Sequence, residues 1–235
     1  MKPTFYFITL FPDCIDVWLR SSILGRAHAA GIFDYKLIQL RDFAENKHAT
    51  VDDAAYGGGG GMVLKVEPLV AALESIWKTV ERAKTQVIYF SPGGDRISQE
   101  LLNRYVKQDD FKDFIFICGH YEGIDQRFLD HWVDREISLG DFVITGGELP
   151  AVAFADAMIR QLDGTLAHGG AETESFLLEN DGKKLLEYPQ YTRPAEFQGH
   201  RVPEILLGGD HGAIEKWRRA QALERTKLRR PDLLS

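Results

Sequence analysis

Three short apolar runs in this chain each end in a turn rich in glycine or proline. They are VIYF (87–90) before Ser91-Pro92-Gly93-Gly94, FIFIC (114–118) before Gly119-His120-Tyr121-Glu122-Gly123, and ISL (137–139) before Gly140 and Gly146-Gly147. Runs this short, dense in aromatic and β-branched residues, read as central strands buried on both faces. In open parallel sheets, ligands gather beyond the carboxyl ends of strands, where loops and helix N-termini converge. Glycine there lets the backbone approach a ligand closely. One such loop says little, because every strand-to-helix connection uses turn residues. Three on successive strands predict a single cradle.

The rest of the pattern fits an α/β fold. TFYFITLF (4–11) and YKLIQL (35–40) read as strands, with a helical stretch from about Asp13 to Ala30 between them. Pro68 suits a first helical turn, opening a helix that runs to about Ala83. LLNRYV (101–106) fits a helix, VDREISL (133–139) and FVIT (142–145) are strand candidates, and ELPAVAFADAMIRQL (148–162) is a strong helix. Strand and helix alternate, which predicts a parallel sheet. The small, polar stretch DGTLAHGGAETES (163–175) then breaks the pattern. Beyond it the strand signal fades, and IEKWRRAQALERTKLRR (214–230) looks helical. The organisation expected is an α/β domain over 1–163, a linker over 164–175 and a small helical domain over 176–235.

A net charge of −7 argues at first against a polyanionic partner, but the charge is uneven. Residues 201–235 hold eight Lys/Arg against five acids, a local +3, leaving −10 on the first 200. Such asymmetry hints at a polyanion bound near the C-terminal segment, although a solvated helix surface would give the same pattern. The two cysteines, Cys14 and Cys118, sit in no disulfide or zinc-type cluster and fit a reducing compartment. MKPTFYFITLF lacks the pattern of an export signal, and no stretch reaches the roughly 20 apolar residues that cross a bilayer. A cytoplasmic protein with no membrane partner is expected. The sequence has no G-x-G-x-x-G after a strand, no P-loop, no H-E-x-x-H and no G-x-S-x-G. Dinucleotide, phosphoryl-transfer, zinc-protease and serine-hydrolase sites of those types are therefore unsupported.

Gly119-His120-Tyr121-Glu122-Gly123-Ile124-Asp125 together with the run from Leu139 to Ala151 (LGDFVITGGELPA) closely resembles the bacterial tRNA (guanine-N1)-methyltransferase family. The likeness continues through Arg41-Asp42-Phe43, Thr50-Val51-Asp52-Asp53, Tyr56-Gly57-Gly58-Gly59, Tyr191-Thr192-Arg193-Pro194 and Leu228-Arg229-Arg230-Pro231, nearly the full chain. The resemblance implies an α/β parallel sheet with a deep trefoil knot (the SPOUT class), a fold type otherwise rare. It also implies a small C-terminal helical domain that binds tRNA, and an obligate homodimer. The implied reaction moves a methyl group from S-adenosylmethionine to N1 of the guanosine at position 37, directly 3′ of the anticodon. By the same resemblance Tyr89, Phe90, Ser91 and Pro92 line the adenosine side of the donor pocket. Gly119, Tyr121, Glu122, Gly123, Leu139, Gly140, Phe142, Ile144, Gly146, Gly147 and Pro150 complete it.

Guanine N1 carries a proton and is a poor nucleophile until that proton leaves, so a general base is required. Negative charge then builds on O6 and needs a cation or donor nearby. The family meets these needs with a linker carboxylate and an arginine on the preceding helix, positions that align with Glu174 and Arg160. Three departures stand out. Glu174 occupies a position where the family has Asp, and Glu172 is an alternative base. His120 replaces an arginine, and Gly60 replaces a proline in the run 57–61. That run reads either as a flexible connector or as a cover over a flipped-out base, with Gly58 and Gly59 against substrate; the cover is favoured. Magnesium is a further candidate, with Glu122, Glu172 and Glu174 offering oxygens.

Arg193, Lys216, Arg218, Arg219, Arg229 and Arg230 are candidates for RNA phosphates. Trp217 either stacks on a base or fills the small domain's core, and the core is favoured because Ile214, Trp217 and Leu228 can share a helical face. Two alternatives stay open: a knotted methyltransferase acting on a ribose 2′-OH or another base, and a tRNA-binding module without catalysis.

Overall fold

The computed structural model describes residues 2–107, 111–166 and 174–235, and the chain divides into two compact units, Met1–Leu166 and Ala167–Ser235. In the first unit the elements run β1 (Thr4–Thr9), α1 (Pro12–Leu19), α2 (Ser22–Ala29), β2 (Asp34–Gln39), β3 (Asp52–Ala54), β4 (Met62–Leu64), α3 (Val66–Trp77), β5 (Thr85–Arg96), α4 (Gln99–Lys107), β6 (Asp113–Ile117), α5 (Gln126–Trp132), β7 (Arg135–Ser138) and α6 (Glu148–Ile159).

Five strands form one parallel sheet in the order β2-β1-β6-β5-β7. The strands that carry the three glycine-rich turns, β6, β5 and β7, are therefore neighbours. Alternate side chains of the apolar runs feed two cores. Phe5, Phe7, Ile88, Phe90, Phe114 and Phe116 face a cluster completed by α1, α2, α4 and α6, in which Phe154 packs edge-on against Phe90 and Phe116. Tyr6, Ile8, Val87, Tyr89, Ile115 and Ile117 face a second cluster completed by α3 and α5. A continuous apolar run is thus a strand covered on both faces, as parallel sheets require.

Several sequence expectations are corrected. The stretch 13–30 is two helices, because Ser21 is extended (ψ 149°) and Ser22 has φ 49°, so the backbone turns between them. The helix opened by Val66 stops at Trp77 rather than near Ala83. FVIT (142–145) forms no strand: Phe142 and Val143 are exposed, and the segment is a loop along a cavity described below. Sequence periodicity also missed the β3–β4 hairpin, whose strands are only three residues each, and α5.

In the second unit two short antiparallel pairs, β8 (Glu179–Asn180) with β9 (Lys183–Lys184) and β10 (Glu196–Phe197) with β11 (His200–Arg201), precede α7 (His211–Arg229). Two-residue strands leave no periodic signal, which is why the sequence shows none. The Asp210 carboxylate caps α7 by accepting from the Ala213 N–H at 3.0 Å. A small core gathers Leu185, Tyr188 and Ala222. The α7 face turned to it carries Ala222 and Thr226, and the Thr226 hydroxyl accepts from the Leu186 N–H at 2.9 Å. The expected Ile214/Trp217/Leu228 face is not the buried one: Leu228 is 81% exposed, and Ile214 and Trp217 border a separate cavity.

Candidate active site

Strand β5 pairs twice with β7. Phe90 and Asp95 both lie opposite Ile137, so the pairing register breaks over residues 91–94 and frees Ser91 and Pro92 to line a cavity. The second glycine loop leaves β6 after Ile117 and the third leaves β7 after Ser138. Together they enclose a cavity of about 250 Å³. All fifteen positions assigned to a donor pocket line it: Tyr89, Phe90, Ser91, Pro92, Gly119, Tyr121, Glu122, Gly123, Leu139, Gly140, Phe142, Ile144, Gly146, Gly147 and Pro150. His120, Ile137, Ser138, Val143 and Thr145 also line it, and the sequence reading did not assign them there.

The loops are held at van der Waals limits. The Gly147 N–H donates to the Gly119 carbonyl at 2.8 Å, and a Cβ built on Gly147 would lie 2.7 Å from the Cys118 Cα and the Gly119 nitrogen. Backbone cannot yield as a side-chain tip can, so only glycine fits where the third loop crosses the end of β6. Ser91 Oγ donates to Glu136 Oε2 at 2.6 Å, fixing the base of the first loop.

A polar bridge behind the cavity was not foreseen. Thr9, fully buried at the end of β1, donates to Glu148 Oε1 at 2.6 Å, and Glu148 Oε2 lies 2.7 Å from His120 Nε2. The side chains of His120 and Glu148 are 16% and 13% exposed. The carboxylate sits in the first turn of α6, where the helix dipole favours negative charge. A threonine closing an otherwise apolar strand and a glutamate directly after Gly146-Gly147 are the sequence signals that could have exposed the bridge.

Burial, with a smaller push from Glu136, raises the Tyr89 hydroxyl to about 12, so it faces the cavity as a neutral donor. Burial and then Glu148 push the Cys118 thiol well above its ordinary range, which leaves it inert as a nucleophile.

The glycine run 57–61 is the turn of the β3–β4 hairpin, and the hairpin is hooked to the second cavity loop. Glu122 N–H donates to the Met62 carbonyl, Leu64 N–H to the Gly123 carbonyl and Asp125 N–H to the Leu64 carbonyl, at 2.9–3.0 Å. Gly61 has φ +92°, and a Cβ there would run into the Glu122 side chain. Gly58 and Gly59, also at positive φ, are exposed with open space around them.

Arg160 caps the end of α6 in the first unit, and its N–H donates to the Asp156 carbonyl. Glu174 belongs to the second unit, where its carbonyl accepts from the Leu177 and Leu178 N–H groups. Glu172 lies outside the described residues. No group of three or more His, Cys, Asp or Glu converges on a metal position among the described residues. Of the six cations assigned to RNA, Arg219 pairs with Glu215 and Arg230 pairs with Asp232 while lying over the Phe176 ring. Arg218 is half-buried over the Tyr188 ring, and Arg193, Lys216 and Arg229 are exposed.

The sequence profile of the family described as tRNA (Guanine-1)-methyltransferase TrmD matches residues 3–235. The chain belongs to the TrmD family. Relatives named tRNA (guanine-N(1)-)-methyltransferase include one from Trichormus variabilis, 49% identical over 230 residues, covering 98% of this chain and 90% of its own length. One from Geobacter metallireducens is 49% identical over 231 residues, with 98% and 90% covered. One from Ruminiclostridium cellulolyticum is 44% identical over 228 residues, with 97% and 94% covered. Membership of the TrmD family spans both units, so the three cavity loops and the basic α7 belong to one family pattern. No helix among the described residues is long and apolar enough to cross a membrane.

Proposed function

We propose that this chain is a tRNA (guanine-N1)-methyltransferase that uses S-adenosylmethionine and acts on the guanosine at position 37, 3′ of the anticodon. The observation that carries the reading is the convergence of fifteen sequence-assigned residues on one cavity at the carboxyl ends of three adjacent strands, in a chain of the TrmD family. The lining suits the donor's chemistry. Tyr89, Phe142, Leu139 and Pro150 offer flat and apolar surface for a purine, and the Glu122 carboxylate and aromatic faces favour a cationic centre. When bound, S-adenosylmethionine supplies an electrophilic methyl group on a positively charged sulfur.

The protein's own work is on the guanine. Glu174 takes the N1 proton as general base, its carboxylate reaching one methylene further than an aspartate would; Glu172 is the alternative. The Arg160 guanidinium, always charged, offsets the negative charge that builds on O6 as the proton leaves. Gly58 and Gly59, without side chains, leave room for the displaced base beneath the hairpin turn. Magnesium takes no step here: neither Glu122 nor Glu174 belongs to a group of three or more possible ligands among the described residues, and Glu172 lies outside them.

The first unit reads as the knotted catalytic domain. The tight crossing of Gly147 over the end of β6 supports that topology. Residues 164–175 read as the linker carrying the base, and the second unit as the tRNA-binding domain. A homodimer is supported by large apolar side chains left open on the first unit: Phe11, Val17 and Trp18 at α1, and Phe142, Val143 and Leu149 near the cavity. Two free cysteines support a cytoplasmic location. The deciding experiment is methyl transfer from S-adenosylmethionine to tRNA transcripts carrying guanosine or adenosine at position 37. Transfer only to guanosine, at N1, is expected. Ribose methylation, or no transfer, overturns the reading.

A further inference from the structure

The second unit holds a cavity that the proposed reaction does not use. Its volume is about 360 Å³, within the range of small-ligand pockets, roughly 300–1,000 Å³. The Tyr188, Tyr191 and Trp217 rings border it, with Ile214, Arg193 and Arg218 among the lining residues. Tyr191 and Trp217 lie 6.4 Å apart at 52°, and Tyr191 remains 49% exposed, so neither ring belongs to the unit's core. Aromatic surface left open this way has no folding role that the rest of the unit explains.

Arg218 adds a second observation. Its guanidinium lies 4.8 Å from the Tyr188 ring centroid, and its Nε is buried with no hydrogen-bond partner among the described residues. A buried donor without an acceptor costs stability, and this one belongs to a residue lining a cavity with room for an acceptor. The helix behind the cavity is strongly basic: α7 carries Lys216, Arg218, Arg219, Arg225, Lys227 and Arg229 against Glu215 and Glu224.

Aromatic faces, arginine planes and phosphate-attracting charge together recognise an unstacked base on a polyanionic strand. We propose that this cavity takes an unpaired nucleobase of the substrate tRNA, a second base site separate from the one that receives the target guanine. The base stacks on the Trp217 and Tyr191 rings, Arg218 donates to a base or phosphate oxygen, and Arg193 meets the adjoining phosphate. The inference rests on the tRNA reading above.

The test is a cycle of protein and RNA changes with the full-length protein. tRNA transcripts are made with a single abasic nucleotide at each unpaired position in turn, and affinity is measured for wild type, Trp217→Ala, Tyr191→Ala and Trp217→Phe. One abasic position is expected to weaken wild-type binding about tenfold or more and to cost the two alanine variants nothing further, while Trp217→Phe stays near wild type. Circular dichroism and thermal unfolding of each full-length variant check that the second unit, where the changes lie, is folded. Tyr191 is exposed, so its variant keeps the test intact if Trp217→Ala misfolds. Alanine variants that bind tRNA like wild type, or abasic penalties equal in variant and wild type, overturn the base site while leaving the enzyme reading in place. Failure of the wild type to bind or methylate tRNA instead overturns the reading on which it rests.

Discussion

His120 Nε2 lies 2.7 Å from Glu148 Oε2, and this contact ties the second cavity loop to the first turn of α6. The other oxygen of the same carboxylate accepts from the buried Thr9 hydroxyl, so one side chain anchors three segments distant in sequence. Glu148→Ala leaves both partners without their acceptor. Removing an acceptor from a buried donor costs about 1–3 kcal/mol, more when a charge is involved. Urea denaturation is expected to show a loss of about 2–4 kcal/mol, together with weakened donor binding. A variant as stable as the parent refutes the anchoring role.

Gly147→Ala places a methyl group against the backbone of Cys118 and Gly119. The loop must move, so S-adenosylmethionine affinity by calorimetry is expected to fall at least tenfold. Gly146→Val meets the His120 ring instead and should abolish binding without unfolding the protein. Normal affinity in both would separate the cavity from the donor.

Glu174→Gln removes the proposed base but keeps its size. General-base assistance is worth about 10²–10⁴-fold, so single-turnover methyl transfer should slow by that factor with tRNA binding retained. Full turnover in Glu174→Gln moves the role to Glu172.

Tyr89 gives a pH prediction with a definite sign. Its folded pKa, about 12, exceeds the unfolded value near 10, so the folded state holds the proton more tightly. The stability this contributes is complete below pH 10 and is lost as pH rises toward 12. The loss amounts to about 2–3 kcal/mol, from two units at 1.36 kcal/mol each. Tyr89→Phe should flatten that part of the alkaline unfolding curve; an unchanged curve rules the assignment out.

Much of the sheet and of the cavity was legible because both depend on signals that survive in one dimension. Apolar runs such as 114–118 mark strands covered on both faces, and glycine turns at their ends mark where backbone must come close. The His120–Glu148–Thr9 bridge was not legible, since it depends on residues up to 139 positions apart. Trp217 misled for a related reason. Helical spacing showed that Ile214, Trp217 and Leu228 could share a face, but the smallness of Ala222 and Thr226 decides which face packs, and spacing carries no information about closeness. FVIT has strand-like composition but pairs with no strand, and it lines the cavity instead.

The hairpin that bears the glycine run shares its backbone ladder with residues 122–125. Roof and wall are therefore one mechanical piece: a lean of the roof drags the wall with it. If the proposed roles hold, neither grip can be adjusted alone, and a substitution in this strip should shift donor and tRNA affinity together.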